Sequence, residues 1–298
     1  MNDAAPASAN PEPNEVKRIW RVGANIQAPA RPVSRLLVTF PIPTDWPEQH
    51  VNLYQEEVPP EVGRADFRVS DGVKQMVATI PRIDPGERVE IHVLMEITVR
   101  PVAYPERTDH LVIPARPPRD VRLYLNPSPL INHRDRSVRN QVKEIVEGID
   151  SPWEQVKAIY DWVTLEIEPN KESEVIGAER AIRDLAGNPE DMANVFIALC
   201  RANKVPARMV WADNGEYAEF YLQDDTGEGI WFPAVLEGKP EFGKMTNPRI
   251  IIQKGDNIRV PEQNQRQRFV VEHVRGSGGG ARPRVRFIRD VLPSRDSR

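Results

Sequence analysis

Two hydrophobic periods divide this chain. From about Glu15 to Leu125 the apolar residues alternate or come in short β-branched runs, as in strands that bury one face. Arg35 to Phe40 is such a run, closed by Pro41 and Pro43. Val73 to Ile80 and Arg88 to Val99 are two more, and Asp84-Pro85-Gly86 between them reads as a turn. Strands at this spacing predict an antiparallel sandwich over residues 16–125. The period then changes to three and four. A first helix is expected from about Val138 to Glu147. Ser151-Pro152-Trp153-Glu154 is a capping box, with Ser at the N-cap, Pro at the first helical position and Glu at the third. Trp153, Val156, Ile159, Tyr160, Val163 and Ile167 follow as one apolar stripe facing a core. A shorter helix runs from Ala178 to Leu185 and stops at Ala186-Gly187. A fourth spans Met192 to Ala202. Beyond Arg208 the strand pattern returns at Met209–Trp211, Tyr217–Leu222, Ile230–Phe232, Arg249–Gln253 and Phe269–Val274.

The ends read differently. Residues 1–15 are small, polar and Pro-rich, which predicts a disordered lead-in without the basic start and apolar centre of a signal peptide. Gly276-Ser277-Gly278-Gly279-Gly280 predicts a flexible linker, and the tail after it carries six arginines against two aspartates. The expected order is therefore lead-in 1–15, sandwich 16–125, a helix-and-sheet core 126–275, and linker with tail 276–298. The fold class is α+β.

Composition narrows the chemistry. A net charge of −4 over 298 residues gives no general attraction to nucleic acid or anionic membrane. No apolar run approaches the roughly 18 residues of a membrane-spanning helix, so the cytoplasm is the default compartment unless an export signal has been omitted. Cys200 is the one cysteine, which excludes an intrachain disulfide and a Cys-cluster metal site. The five histidines, His50, His92, His110, His133 and His273, are scattered without ligand spacing. Nothing calls for a metal or a cofactor.

The stretch from Gly187 to Val235 carries the most specific signal. It reads Gly187-Asn188-Pro189-Glu190-Asp191-Met192-Ala193, then Ala198-Leu199-Cys200-Arg201-Ala202, then Val205-Pro206-Ala207-Arg208, then Tyr217-Ala218-Glu219-Phe220-Tyr221-Leu222 and Trp231-Phe232-Pro233. This resembles the core of the transglutaminase-like superfamily of papain-related cysteine enzymes. Its pattern is roughly G-x-C-x-D-x-A, a helix ending L-L-R-A, then G-I-P-A-R, H-A-W-x-E-x-Y and G-W-x-x-x-D. More weakly, Phe40-Pro41-Ile42-Pro43 and Asp84-Pro85-Gly86-Glu87 resemble the β-domain that precedes many bacterial cores of this kind, and Tyr124 to Ser128 the hinge between the two. The resemblance implies helices packed on an antiparallel sheet.

It also assigns the nucleophilic Cys to Pro189, the His to Gly215 and the Asp to Val235. In the family the Cys sits at a helix N-terminus, where unpaired N–H groups favour the thiolate and a neighbouring His pairs with it. Asn188-Pro189-Glu190-Asp191 still specifies a helix start, but proline is no nucleophile. Cys200 lies eleven residues on, roughly 16 Å away at ~1.5 Å per residue, among apolar neighbours that favour a packed thiol. Gly215 ends Asp213-Asn214-Gly215, an ordinary turn. Glu190 and Asp191 read as first-turn acids suited to the helix dipole, and Glu219 as an exposed strand residue.

The expectation is a catalytically inactive relative that serves as a peptide- or protein-binding or structural module. Its former cleft would be formed by Asn188, Pro189, Tyr217, Glu219 and Trp231. One alternative is an active cysteine acyltransferase or peptidase using Cys200. Another is nucleic-acid contact through the Arg-rich tail, although no aromatic platform accompanies those arginines and the alternation in Arg284-Val285-Arg286-Phe287 more often marks a surface strand or a solvated tail.

Overall fold

A computed structural model describes residues 15–276 and 282–292. The lead-in 1–14, the linker residues 277–281 and the last six residues lie outside this range. Six strands come first: β1 (Val16–Gln27), β2 (Val33–Ile42), β3 (Gln49–Glu57), β4 (Arg64–Ser70), β5 (Val73–Ile83) and β6 (Arg88–Val99). Helices follow as α1 (Arg119–Arg122), α2 (Arg136–Ile145), α3 (Pro152–Glu166), α4 (Ala178–Asp184) and α5 (Pro189–Ala202). Two short parallel strands, β7 (Glu168–Pro169) and β8 (Ala186–Gly187), pair among them. The chain then forms β9 (Ala207–Ala212), β10 (Gly215–Gln223), β11 (Gly229–Val235), β12 (Glu241–Phe242) and β13 (Ile251–Lys254). It closes with β14 (His273–Gly276) and β15 (Arg284–Leu292).

The first unit is a sandwich of two four-stranded antiparallel sheets, ordered β15-β1-β6-β3 and β14-β2-β5-β4. Alternation along the strands turns Trp20, Val22, Ala24 and Ile26 of β1 inward against Val38, Phe40, Met76 and Ile91. The turn expected at Asp84-Pro85-Gly86 forms, with Gly86 at φ +81° and the Glu87 amide donating to the Asp84 carbonyl.

The C-terminal stretch corrects the expected tail. Arg284–Leu292 pairs with β1 along its length, and His273–Gly276 pairs with β2, so both return to the sandwich. The reason is the alternation in Arg284-Val285-Arg286-Phe287. Arg284 and Arg286 stay exposed, while Val285 and Phe287 pack on the sandwich core.

The second unit is an antiparallel sheet of order β12-β11-β10-β9-β13 with helices on one face. Helix α3 starts at Ser151 as expected, with the Ser151 hydroxyl accepting from the Glu154 amide; this is the N-cap half of the expected capping box. It turns Trp153, Val156, Ile159 and Val163 inward. The Trp153 ring, 1% exposed, meets Phe220, Phe232 and Phe242 at centroid distances of 5.6, 5.1 and 5.0 Å. Helix α5 is the core's centre, buried on all sides from Glu190 to Arg201. The sheet's other face covers the sandwich side of the molecule through Val210, Tyr217, Val235, Met245 and Ile251, with Trp46 and Val102 packed against them.

Candidate functional site

Helix α5 begins where the sequence motif places it. Asn188 is the N-cap: its side chain accepts from the Asp191 amide at 2.9 Å, and the Asp191 carboxylate accepts from the Asn188 amide at 3.2 Å. This reciprocal capping satisfies two end groups that a buried helix would otherwise leave bare. Asp191 also accepts from the amides of Ile176 and Gly177, at 3.0 and 2.8 Å. One fully buried carboxylate thus fixes both the helix start and the loop in front of it. Gly187 allows this approach, since a Cβ there would stand 2.6 Å from the Asp191 Cβ.

Pro189 occupies the first helical position and is partly exposed. Glu190 is buried against Arg268, whose guanidinium also lies 5.7 Å from the Trp211 ring. Gly215 is exposed in the β9–β10 turn at φ +88°, the left-handed region that glycine tolerates. Val235 is buried at the end of β11. No thiol or imidazole stands at any of these three positions.

Cys200 is packed in α5 with no exposed surface. Burial pushes its thiol well above the ordinary range, opposed only by the charge of Arg201. His133 is pushed down to about 4, by burial first and then by Arg201 and Arg134, so it is neutral at physiological pH.

The five residues expected to line one cleft are divided by the sheet. Along β10 the residues facing the helices are Ala218, Phe220 and Leu222. Tyr217 and Glu219 therefore point to the opposite face, away from Asn188 and Pro189 on α5. Tyr217 is buried against Val210, Val235 and Met245. Trp231 is half-buried on that same face, edge-on to Tyr124 and tilted on Tyr221 at 5.5 and 5.1 Å.

Glu219, expected on an exposed face, is 3% exposed. Two cations explain how a carboxylate can stay there. Arg208 lies opposite it in the β9–β10 register and donates at 2.7–2.8 Å, and the Lys254 ammonium donates at 2.6 Å. Burial works to raise the Glu219 pKa, but Lys254 and Arg208 prevail and hold it below the ordinary range. Lys254, 1% exposed, also pairs with Glu48 of the loop between β2 and β3. Trp46 of that loop lies 5.1 Å from Lys254 and 5.6 Å from Arg208, and Trp231 stacks on the Arg208 guanidinium at 3.9 Å. This cluster joins the sandwich to the core. The strand alternation identifies Glu219 and Arg208 as one-face residues, but their partners Glu48 and Lys254 have no local signal in the sequence.

A second buried pair holds the far end of α5. Arg201 donates to Asp256 at 2.8–2.9 Å, to the Ala207 carbonyl at 2.8–2.9 Å and to Asn126 and Ser128 at 2.9 Å. The arginines retained from the L-L-R-A and P-A-R patterns are thus both buried and fully engaged.

A cavity of about 490 Å³ opens at the sheet end beside Gly215. Its wall includes Asp213, Asn214 and Val235 from the core and Val16 and Arg18 from the sandwich. Among the described residues no group of three or more His, Cys, Asp or Glu could hold a metal ion, and no helix is long and apolar enough to cross a membrane.

Comparison with known proteins agrees with the geometry of the core. The family model of the transglutaminase-like superfamily matches residues 139–234. A solved structure from Cytophaga hutchinsonii, described as a candidate cysteine protease, is similar at 16% identity with a TM-score of 0.56. The likeness covers 94% of this chain and 93% of that one, so the shared fold extends over the sandwich. Another, a candidate protease from Parabacteroides distasonis, aligns at 14% identity and a TM-score of 0.31. That alignment covers 74% of this chain and 43% of the neighbour, so the chain spans less than half of it. No curated protein matches the sequence.

Proposed function

The chain belongs to the transglutaminase-like superfamily through residues 139–234, and from that premise we propose that it works without thiol catalysis, as a peptide- or protein-binding or structural module. The observation that carries this reading is the start of α5. The family motif puts the nucleophile at Pro189, while the chain's one thiol, Cys200, is sealed inside the same helix. A thiolate there has no exposed surface from which to reach an acyl group, and burial outweighs the Arg201 charge that works to lower its pKa.

The separation of Asn188 and Pro189 from Tyr217, Glu219 and Trp231 on the opposite sheet face refines the module. Tyr217 and Glu219 serve the sandwich–core junction, so any ligand groove is narrower than the expected cleft. The cavity lined by Asn214, next to Gly215, and by Val235 is a concavity close to two of the three positions the family motif assigns.

Incubation of the purified chain with peptide substrates and an amine donor, followed by intact-mass analysis, tests the proposal. Unchanged substrate is expected. Amide crosslinks or peptide cleavage that disappear in Cys200→Ala would establish the enzyme instead.

A further inference from the structure

The cavity beside Gly215 has a distribution of charge that nothing above explains. Its carboxylates are already engaged. Asp213 accepts from the Ile250 amide at 3.0 Å, Glu237 pairs with Lys171, and Glu241 accepts from the Thr246 amide at 2.9 Å and from its hydroxyl. Of its cations Lys171 is taken up in that pair, but Arg18, Lys239 and Arg249 have no carboxylate within ion-pair distance among the described residues. Lys239 is exposed with no hydrogen-bond or ion-pair partner among the described residues. Among the described residues Arg18 donates only to the carbonyl of its neighbour Lys17, at 2.8 Å. Arg249 donates only to the Glu216 carbonyl, at 3.4 Å, though its charge also acts at longer range on Asp213 and Glu216. Asn214 and Asn247 add exposed amides to the same rim. The groups left free to meet a ligand are therefore mostly donors, around an apolar floor of Val235, Met245 and Ile250.

We infer that this cavity receives an acidic peptide segment, its carboxylates held by Arg18, Lys239 and Arg249 and one apolar side chain seated on Val235, Met245 and Ile250. The inference rests on the non-catalytic binding reading above and gives it a ligand class. A bare anion such as phosphate would use the rim but not the floor, and a basic peptide would meet like charge. The volume lies within the few hundred Å³ usual for a ligand site.

The probe is a fluorescein-labelled peptide, Glu-Glu-Leu-Glu-Glu, titrated with the full chain at low salt and followed by anisotropy. Saturable binding is expected, weakening as salt rises. Glu-Glu-Gly-Glu-Glu should bind more weakly, inorganic phosphate should compete poorly, and Lys-Lys-Leu-Lys-Lys should not bind. The triple variant Arg18→Gln/Lys239→Gln/Arg249→Gln should lose about tenfold in affinity, the sum of three exposed ion pairs. Asn247→Glu, a single exposed change that puts a like charge at the rim, should weaken binding as well. Absence of saturation, equal binding of the lysine peptide, or unchanged affinity in the variants would overturn the inference. The peptide's mass, recorded in the same samples, separates the two readings. A shortened or joined peptide sinks the non-catalytic proposal, whereas an intact but unbound one sinks only the ligand assignment.

Discussion

Replacing Glu219 by glutamine removes one negative charge from the junction of sandwich and core while keeping the side chain's size. Two cations depend on that charge. Arg208 has Glu219 as its one carboxylate partner within ion-pair distance, at 2.7 Å, whereas Lys254 keeps Glu48. Arg208, a residue 7% exposed, would be left with the rings of Trp231, Tyr124 and Trp46 and a neutral amide as neighbours. Removing one member of a buried ion pair costs about 3–5 kcal/mol, because the surviving charge stays desolvated. Glutamine can still accept one of the lost hydrogen bonds, which places the expectation near the lower end, about 3 kcal/mol. Against a whole-domain stability of about 5–15 kcal/mol the variant should fold but unfold early. Urea titration followed by both tryptophan fluorescence and far-ultraviolet circular dichroism measures this, and coincident midpoints would show that sandwich and core unfold together. A loss below about 1 kcal/mol would refute the reasoning, since it would mean that the cluster is solvated or dispensable. The pH dependence carries the same signature. The Glu219 pKa is held below its unfolded value of about 4.3. Its contribution is therefore complete above that value and is lost as pH falls through the lower folded pKa. The glutamine variant should lack this part of the acid sensitivity.

Asp191→Asn should cost about 2–4 kcal/mol in the same titration, because a charged acceptor serving the amides of Ile176, Gly177 and Asn188 becomes a neutral one; a silent substitution would mean that the loop before α5 is held by other contacts. Cys200→Ser should cost roughly 1–3 kcal/mol through an imperfectly bonded buried hydroxyl, read from the same unfolding midpoint. Lys204 sits at φ +65°, at the position where the family pattern has glycine. Lys204→Gly should raise stability by about 0.5–1 kcal/mol through relief of a left-handed side-chain residue, and a lower midpoint would contradict that account.

Much of the fold was legible because its signals are local. Ser151-Pro152-Trp153-Glu154 and Asn188-Pro189-Glu190-Asp191 are both helix starts; Ser151 and Asn188 each accept from the third helical amide, and the reciprocal bond from the third side chain forms at Asp191. The apolar runs of β2, β5 and β6 mark a sandwich before any pairing is known. What escaped depends on partners distant in the chain. β15 pairs with β1 across some 270 residues, and arginines spaced two apart look the same on an edge strand as on a solvated tail. Alternation says that Tyr217 and Glu219 share a face, but not whether that face meets the helices or the sandwich. Glu219 looked exposed because a lone carboxylate on a strand normally is. Only Arg208 across the ladder and Lys254 from β13 make its burial tolerable. The cavity beside Gly215 was not foreseen, since its wall joins β1, the β9–β10 turn and the loop before β13.

The central claim is that this chain has no usable thiol, and the reactivity of Cys200 tests it most directly. Native protein is treated with iodoacetamide, its intact mass is followed over time, and a sample unfolded in urea is treated in parallel. The unfolded chain should gain one adduct quickly. The native chain should gain it only at the rate of unfolding, with Cys200→Ala gaining none in either state. Rapid, complete labelling of the native protein would contradict the account, placing an accessible and activated thiolate where the structure has a sealed one.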